Sequence, residues 1–144
     1  SGSGTSGSAA HLALPDIVRS NHHEHDDWTE LTAMTVNLDQ GKADLFIYNE
    51  ENTFLRDAQK GSKSDVQLLD RRFQIGLALL SLALIDDLDK RQDEQRKEGL
   101  GDGVVDIEDE IERFTRALAP VVLPLVEALA EITMDDLFEV EPDV

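Results

Sequence analysis

The densest run of side chains able to do chemistry is Asn21-His22-His23-Glu24-His25-Asp26-Asp27. Imidazoles and carboxylates suit zinc, nickel or copper, so His22, His23, His25 and Asp26 are the metal-ligand candidates. A built site needs ligands held on a rigid frame with supporting partners. Here all candidates are consecutive, just ahead of a strand, where neighbouring side chains diverge, and the run reads first as a solvated loop. A second candidate, Gly99-Leu100-Gly101-Asp102-Gly103, imitates a phosphate loop. No strand precedes it, no Lys-Ser/Thr follows, and the acids beyond it repel phosphate. The chain contains neither a Gly-x-Ser-x-Gly elbow nor a His-Glu-x-x-His helix. Carboxylate pairs such as Asp86-Asp87 are too frequent in so acidic a chain to mark an acid–base couple. The expectation is a chain with no catalytic residues, no cofactor and no resident metal.

Composition narrows the function classes further. The 144 residues carry 31 Asp and Glu against 13 Lys and Arg, a net charge of −18, and no cysteine. That charge opposes nucleic acid and anionic membranes. The lack of cysteine removes disulfide scaffolds and thiol chemistry. No apolar run reaches the length of a membrane span, and a cytoplasmic location is expected. The acidity is concentrated: residues 86–112 hold twelve acids against four bases, and residues 131–144 hold six acids and no base. Such runs read first as solvated faces.

The elements that must position these groups follow from periodicity. Residues 1–10, SGSGTSGSAA, read as a flexible linker, in keeping with a piece of a longer protein. A single α+β domain is expected over 11–134. A β-hairpin is predicted for residues 31–49, its strands LTAMTVNL and ADLFIYN joined by the turn Asp39-Gln40-Gly41-Lys42. A helix is predicted over 64–91, opened by Ser64 and Gln67 as a capping box. From Ile75 to Ile85 it is apolar nearly all round, which calls for cover on several sides. It is therefore expected to be the central helix, packed between hairpin and second helix, with Leu80 in a closed core.

A mobile acidic loop is expected near 92–105. Ile107, Ile111, Phe114 and Leu118 then recur at helical spacing, and Val122, Leu125, Leu129 and Ile132 continue the stripe. A helix over 106–132, bent at Pro120 and Pro124, is preferred to a new helix starting near Pro120. Residues 135–144 form an acidic tail. Trp28, the sole tryptophan, is expected to seal one end of the core.

The order of these features resembles a known family. Trp28-Thr29-Glu30-Leu31-Thr32-Ala33-Met34-Thr35-Val36 leads into a hairpin whose second strand, Asp44-Leu45-Phe46-Ile47, runs into Asn49-Glu50-Glu51-Asn52-Thr53-Phe54-Leu55. The apolar helix Gly76–Leu84 follows, and later Phe114-Thr115-Arg116-Ala117-Leu118-Ala119-Pro120. Across residues 28–130 this is similar to the C-terminal region of large bacterial ATP-binding proteins whose N-terminal part is histidine kinase-, gyrase B- and Hsp90-like. The resemblance implies a non-catalytic module outside the ATPase core, since the family's Asp-x-Gly-x-Gly loops are not here. Its partners would be other domains of the parent, another protein or a second copy of itself. The matching positions Asn49, Glu51 and Asn52 are read either as strand-ending residues or as a contact to another domain. The competing readings are a free-standing acidic binding protein, of the DNA-mimic or antitoxin-neutralising kind, and a metal-binding domain built on residues 22–27.

Overall fold

The computed structural model describes residues 15–61, 65–99 and 106–132. Three strands come first: β1 (Asp16–Ser20), β2 (Met34–Asp39) and β3 (Lys42–Asn49). Three helices follow: α1 (Thr53–Gly61), α2 (Val66–Lys97) and α3 (Ile107–Ala130). The α+β architecture is the expected one. The calls at Ser64, on residues 100–105 and on the terminal stretches 1–14 and 133–144 lie outside the described residues.

The predicted hairpin is present. β2 and β3 pair antiparallel from Met34↔Tyr48 to Asp39↔Lys42, with a register shift between Asn37 and Leu38. Gln40 and Gly41 take φ values of 55° and 82°, the pair of positive angles that a two-residue hairpin turn needs to match strand twist. The strand β1 was not foreseen. It pairs parallel to β3, Asp16↔Leu45 through Ser20↔Asn49, giving the order β1-β3-β2. Alternation sends Met34, Val36, Phe46 and Tyr48 to the helical side, each at most 2% exposed.

The helix α1 also went unread, as the end of a strand. Its opening is set by Asn52, whose side chain accepts from the N–H groups of Phe54 and Leu55. For α2 the cap is Asp65, which accepts from the Gln67 N–H at 3.0 Å. The helix runs on to Lys97, beyond the predicted end at 91. Its exposed last turns carry Asp86–Lys90 and Asp87–Arg91 pairs at 3.1 and 2.9 Å. Such i,i+4 pairs contribute roughly 0.3–0.5 kcal/mol each; residues 92–97, expected as the start of a loop, are helical too, with Arg96 3.5 Å from Asp93. α3 is one element with both prolines inside it. Pro120 and Pro124 are exposed, and the carbonyls of Arg116 and Pro120 lack the helical N–H that another residue would supply four positions on.

The central element is α3, not α2. α3 packs along α2, across β2 and against α1, whereas α2 meets the sheet only lightly, at β3. The hydroxyl of Thr115, fully buried, lies 3.0 Å from the Met34 carbonyl and 2.7 Å from that of Ile111. This sets α3 over the open edge of β2 and closes it to other strands. α2 buries one face, Leu69, Phe73, Leu77, Ala78, Ser81, Ile85 and Leu88. Its apolar run is not covered all round: Leu80 is half-buried and Leu79 is 39% exposed.

Where α2 crosses α3, Gly76 lets the helices close up. A Cβ there would sit 2.8 Å from Val122 Cγ2, and valine has little rotamer freedom to yield. Gly76→Ala should therefore lose about 1–3 kcal/mol by overpacking, although an exposed helix would gain from that change. On the same helix the buried Ser81 hydroxyl finds no partner among the described residues, so Ser81→Ala should leave stability unchanged or raise it. Denaturant midpoints of the two variants check both signs.

Candidate functional site

Between β1 and β2 the chain must cross from one edge of the sheet to the other, past β3, in residues 21–33. Tight turns compact this crossover: Glu24 N–H to Asn21 carbonyl, Trp28 to His25, and Thr32 to Thr29. The histidines sit here, and the structure disperses them. The Ser20 hydroxyl donates to Glu24 at 2.8 Å and lies 2.9 Å from His25 Nε2. His25 stacks on Trp28 at 3.9 Å, while His22 leans on His23 at 4.1 Å. No three His, Asp or Glu side chains are grouped to hold a metal among the described residues. Trp28 is buried as expected, but it packs on His25, outside the main apolar cluster.

Asn49 and Asn52 clasp the end of this crossover. Both are 0% exposed. Asn49 Nδ2 donates to the carbonyls of Thr32 and Thr29, and its Oδ1 accepts from the Glu51 N–H. Asn52 Nδ2 donates to the Leu31 and Thr32 carbonyls while its Oδ1 caps α1. The proposed contact of these two residues to another domain is thereby corrected: their polar atoms are spent inside the fold, and only Glu51 retains some exposure. Burying the three loop carbonyls of Thr29, Leu31 and Thr32 without donors would cost far more than an exposed loop does.

A second polar knot ties β3 to α2. The Tyr48 hydroxyl lies 2.9 and 2.8 Å from the two oxygens of Asp70, and Gln74 Nε2 donates to Asp70 at 2.9 Å. Arg19 stands 4.0 Å from the same carboxylate. Together with Ile17, Gln67 and Arg71 these groups line a recess of about 340 Å³. Asp70 is the acceptor shared by Tyr48 and Gln74 there, so the recess marks a contact that ties β3 to α2.

A larger cleft, about 510 Å³, opens between the crossover, the sheet and the start of α3. Trp28 and His25 lie on one wall; Asp106, Glu108, Asp109 and Glu112 lie on the other. Asp106 caps α3 through the Asp109 N–H, and Glu112 pairs with Arg116 at 3.5 Å. These acids suit the helix N-terminus, and the cleft's field favours cations.

The feature that sequence reasoning missed is on α3. The expected stripe Val122, Leu125, Leu129, Ile132 splits: Val122 is 1% exposed, but Leu125, Leu129 and Ile132 are 48%, 58% and 53% exposed. With Val121, 50% exposed, Leu125 and Leu129 form an apolar row at spacings of four, hence on one side of the helix, while Ile132 lies just past the helix end at Ala130. Core cover on α3 ends at the partly buried Val126. The signal available was the run Ala117–Ala130 with a single charge, richer in apolar residues than one buried face requires.

Two measurements check the polar knots. Asn52→Ala should lose about 2–3 kcal/mol, from the cap and from the Leu31 carbonyl left without a donor. Asn52→Asp, which keeps the cap acceptor, should also destabilise, because its carboxylate faces carbonyl oxygens. At Tyr48, burial first and the Asp70 bond second raise the phenol above its ordinary 10.0. Above that pH the unfolded chain loses a proton that the folded chain keeps, so stability should be whole below pH 10 and fall above it. Tyr48 is the sole tyrosine, so tyrosinate absorbance follows the titration directly, and Tyr48→Phe should remove its share of the alkaline slope.

In comparisons with known proteins, no family model, no curated protein and no solved structure matches this chain.

Proposed function

We propose that this chain is a non-catalytic docking module of a larger bacterial ATP-binding protein, recognising a protein partner through the outer face of α3. One observation supports the docking reading above the rest: three large aliphatic side chains of α3, Val121, Leu125 and Leu129, stand about half exposed in one row, with Ile132, 53% exposed, just past the helix end. Contiguous exposed apolar surface is what interaction sites show on otherwise soluble folds. The buried polar residues support the same reading from the other side. Asn49, Asn52, Tyr48 and Asp70 are engaged by backbone or by each other, which leaves none of them poised as nucleophile or base. The parent's ATP-binding character rests on the resemblance of residues 28–130, and the reading frame around this segment tests it.

A second reading, a free-standing acidic binding protein, is favoured by the carboxylate-lined cleft beside Trp28. It predicts that a basic partner protects Trp28 and the start of α3 and leaves Val121, Leu125 and Leu129 untouched.

The docking reading requires that the α3 row contribute little to the isolated domain. Leu125→Ser/Leu129→Ser should therefore shift stability by less than about 1 kcal/mol, as surface changes do, where buried leucines lost from a core cost about 2–5 kcal/mol. Urea unfolding of the double variant beside Leu77→Ala, whose leucine is 0% exposed, decides it. A core-sized loss in the double variant would sink the docking reading.

A further inference from the structure

On the second reading above, that of an acidic protein with a basic partner, we propose how the partner is held. A short basic segment enters the cleft beside Trp28, bonds its main chain to Val36, and sets a lysine or arginine between Trp28 and the carboxylates of α3.

Hydrogen-bond accounting along β2 leaves one residue over. The Asn49 N–H bonds the Ala33 carbonyl at 2.9 Å. In the antiparallel ladder, residues 33, 35 and 37 therefore turn their backbone groups to β3, while Met34 and Val36 turn theirs to the outer edge. α3 closes that edge to a whole strand, and Thr115 takes the Met34 carbonyl. Two residues on, Val36 is 2% exposed and lines the cleft. Neither its N–H nor its carbonyl has a partner among the described residues, although buried backbone groups are nearly always paired. A peptide unit in the cleft brings a donor and an acceptor together, as a neighbouring chain does.

Charge sets the sign of what enters. Asp27, Asp106, Glu108, Asp109 and Glu112 line the cleft against one base, Arg116, which pairs with Glu112. Walls of low dielectric focus such a field, and a cationic side chain is its complement.

Trp28 faces the α3 acids across the cleft. It is 9% exposed, and its indole N–H makes no hydrogen bond among the described residues. The stem of a lysine or arginine packs on such a ring while its head reaches the carboxylates. A carbonyl of the same segment gives the indole N–H its acceptor. An acidic segment lacks the cation, and a free cation lacks the carbonyl. At about 510 Å³ the cleft falls within the roughly 300–1,000 Å³ of ligand sites, room for a side chain and the peptide units beside it.

The experiment takes the whole chain and an acetylated, amidated pentapeptide, Gly-Ala-Arg-Ala-Gly. Its controls are the same peptide with glutamate for arginine, and methylguanidinium. Trp28 is the sole tryptophan, so its emission reports on the cleft directly. The arginine peptide should shift that emission saturably and bind at least about tenfold tighter than either control. Amide exchange at Val36 should slow by about threefold or more on binding. Glu108→Gln/Asp109→Asn, both exposed positions, should weaken binding about tenfold with the circular dichroism unchanged. Because a chain of net charge −18 attracts any cation, arginine-peptide binding that this double variant leaves intact overturns the proposal. Equal binding of the glutamate peptide overturns it too, and methylguanidinium binding as tightly as the peptide replaces it with a small-cation site. A Trp28 response with Val36 exchange unchanged overturns the main-chain bond and leaves the basic-partner reading standing. No Trp28 response to the arginine peptide strikes that reading as well.

Discussion

The structure depends on carrying the chain from β1 to β2 across the end of β3, because β3, the last strand in sequence, lies in the middle of the sheet. A crossover of thirteen residues is long for a compact domain, and its carbonyls must be satisfied wherever they are buried. Asn49 and Asn52 do this from the strand they cross. Each amide donates to crossover carbonyls and accepts from the chain just beyond β3. The same two residues thus end the middle strand, pin the crossover and start α1. The Thr53 N–H to Glu30 carbonyl bond at 2.9 Å completes the junction. The β1–β3 ladder is short, five residues, and this clasp stiffens the far side of the sheet against slipping.

With the crossover fixed, β2 becomes an edge, and α3 is placed to cover it. Thr115 makes the link, since its hydroxyl can leave the helical Ile111 carbonyl for the Met34 carbonyl of the strand. One hydroxyl proton serves one acceptor at a time, so this is a tether rather than a ladder. Burial of Ile111, Ala119, Val122 and Leu123 supplies the driving force. α2 then rests on α3 at the narrow crossing made by Gly76 and Val122. Hence α2, despite its apolar run from Ile75 to Ile85, is the outer helix, with Leu68 and Leu79 left 44% and 39% exposed.

The elements legible in sequence were those specified locally. The hairpin could be read because Gln40-Gly41 favours positive φ and the flanking strands alternate. α3 could be read because Ile107, Ile111 and Leu118 keep helical spacing. β1 could not, because its pairing is to residues 45–49 and only Ile17 and Val18 mark it as a strand. Residues 92–97 looked like loop because they bury almost nothing; they continue α2, with the exposed pair Arg96–Asp93 along them. At the site, Asn49 and Asn52 were visible as unusual residues, but whether an amide points inward or outward is decided by the crossover it meets. The exposure of Leu125 and Leu129 was hidden for a related reason. Helical spacing shows which residues share a face, while the point along the helix where the core stops is a tertiary fact.

That stopping point gives the α2–α3 pair two unlike ends. At one, the C-terminal turns of α2 and the first turn of α3 carry most of the acids of these two helices, with Glu108, Asp109 and Glu110 placed where a helix N-terminus favours negative charge. At the other, α3 runs beyond its cover as an almost uncharged helix. Like charge at the acidic end opposes close approach of another acidic surface there. Charge and exposed aliphatic surface are thereby set at opposite ends of α3, because the core that the helix covers ends at Val126 while the helix itself runs on to Ala130.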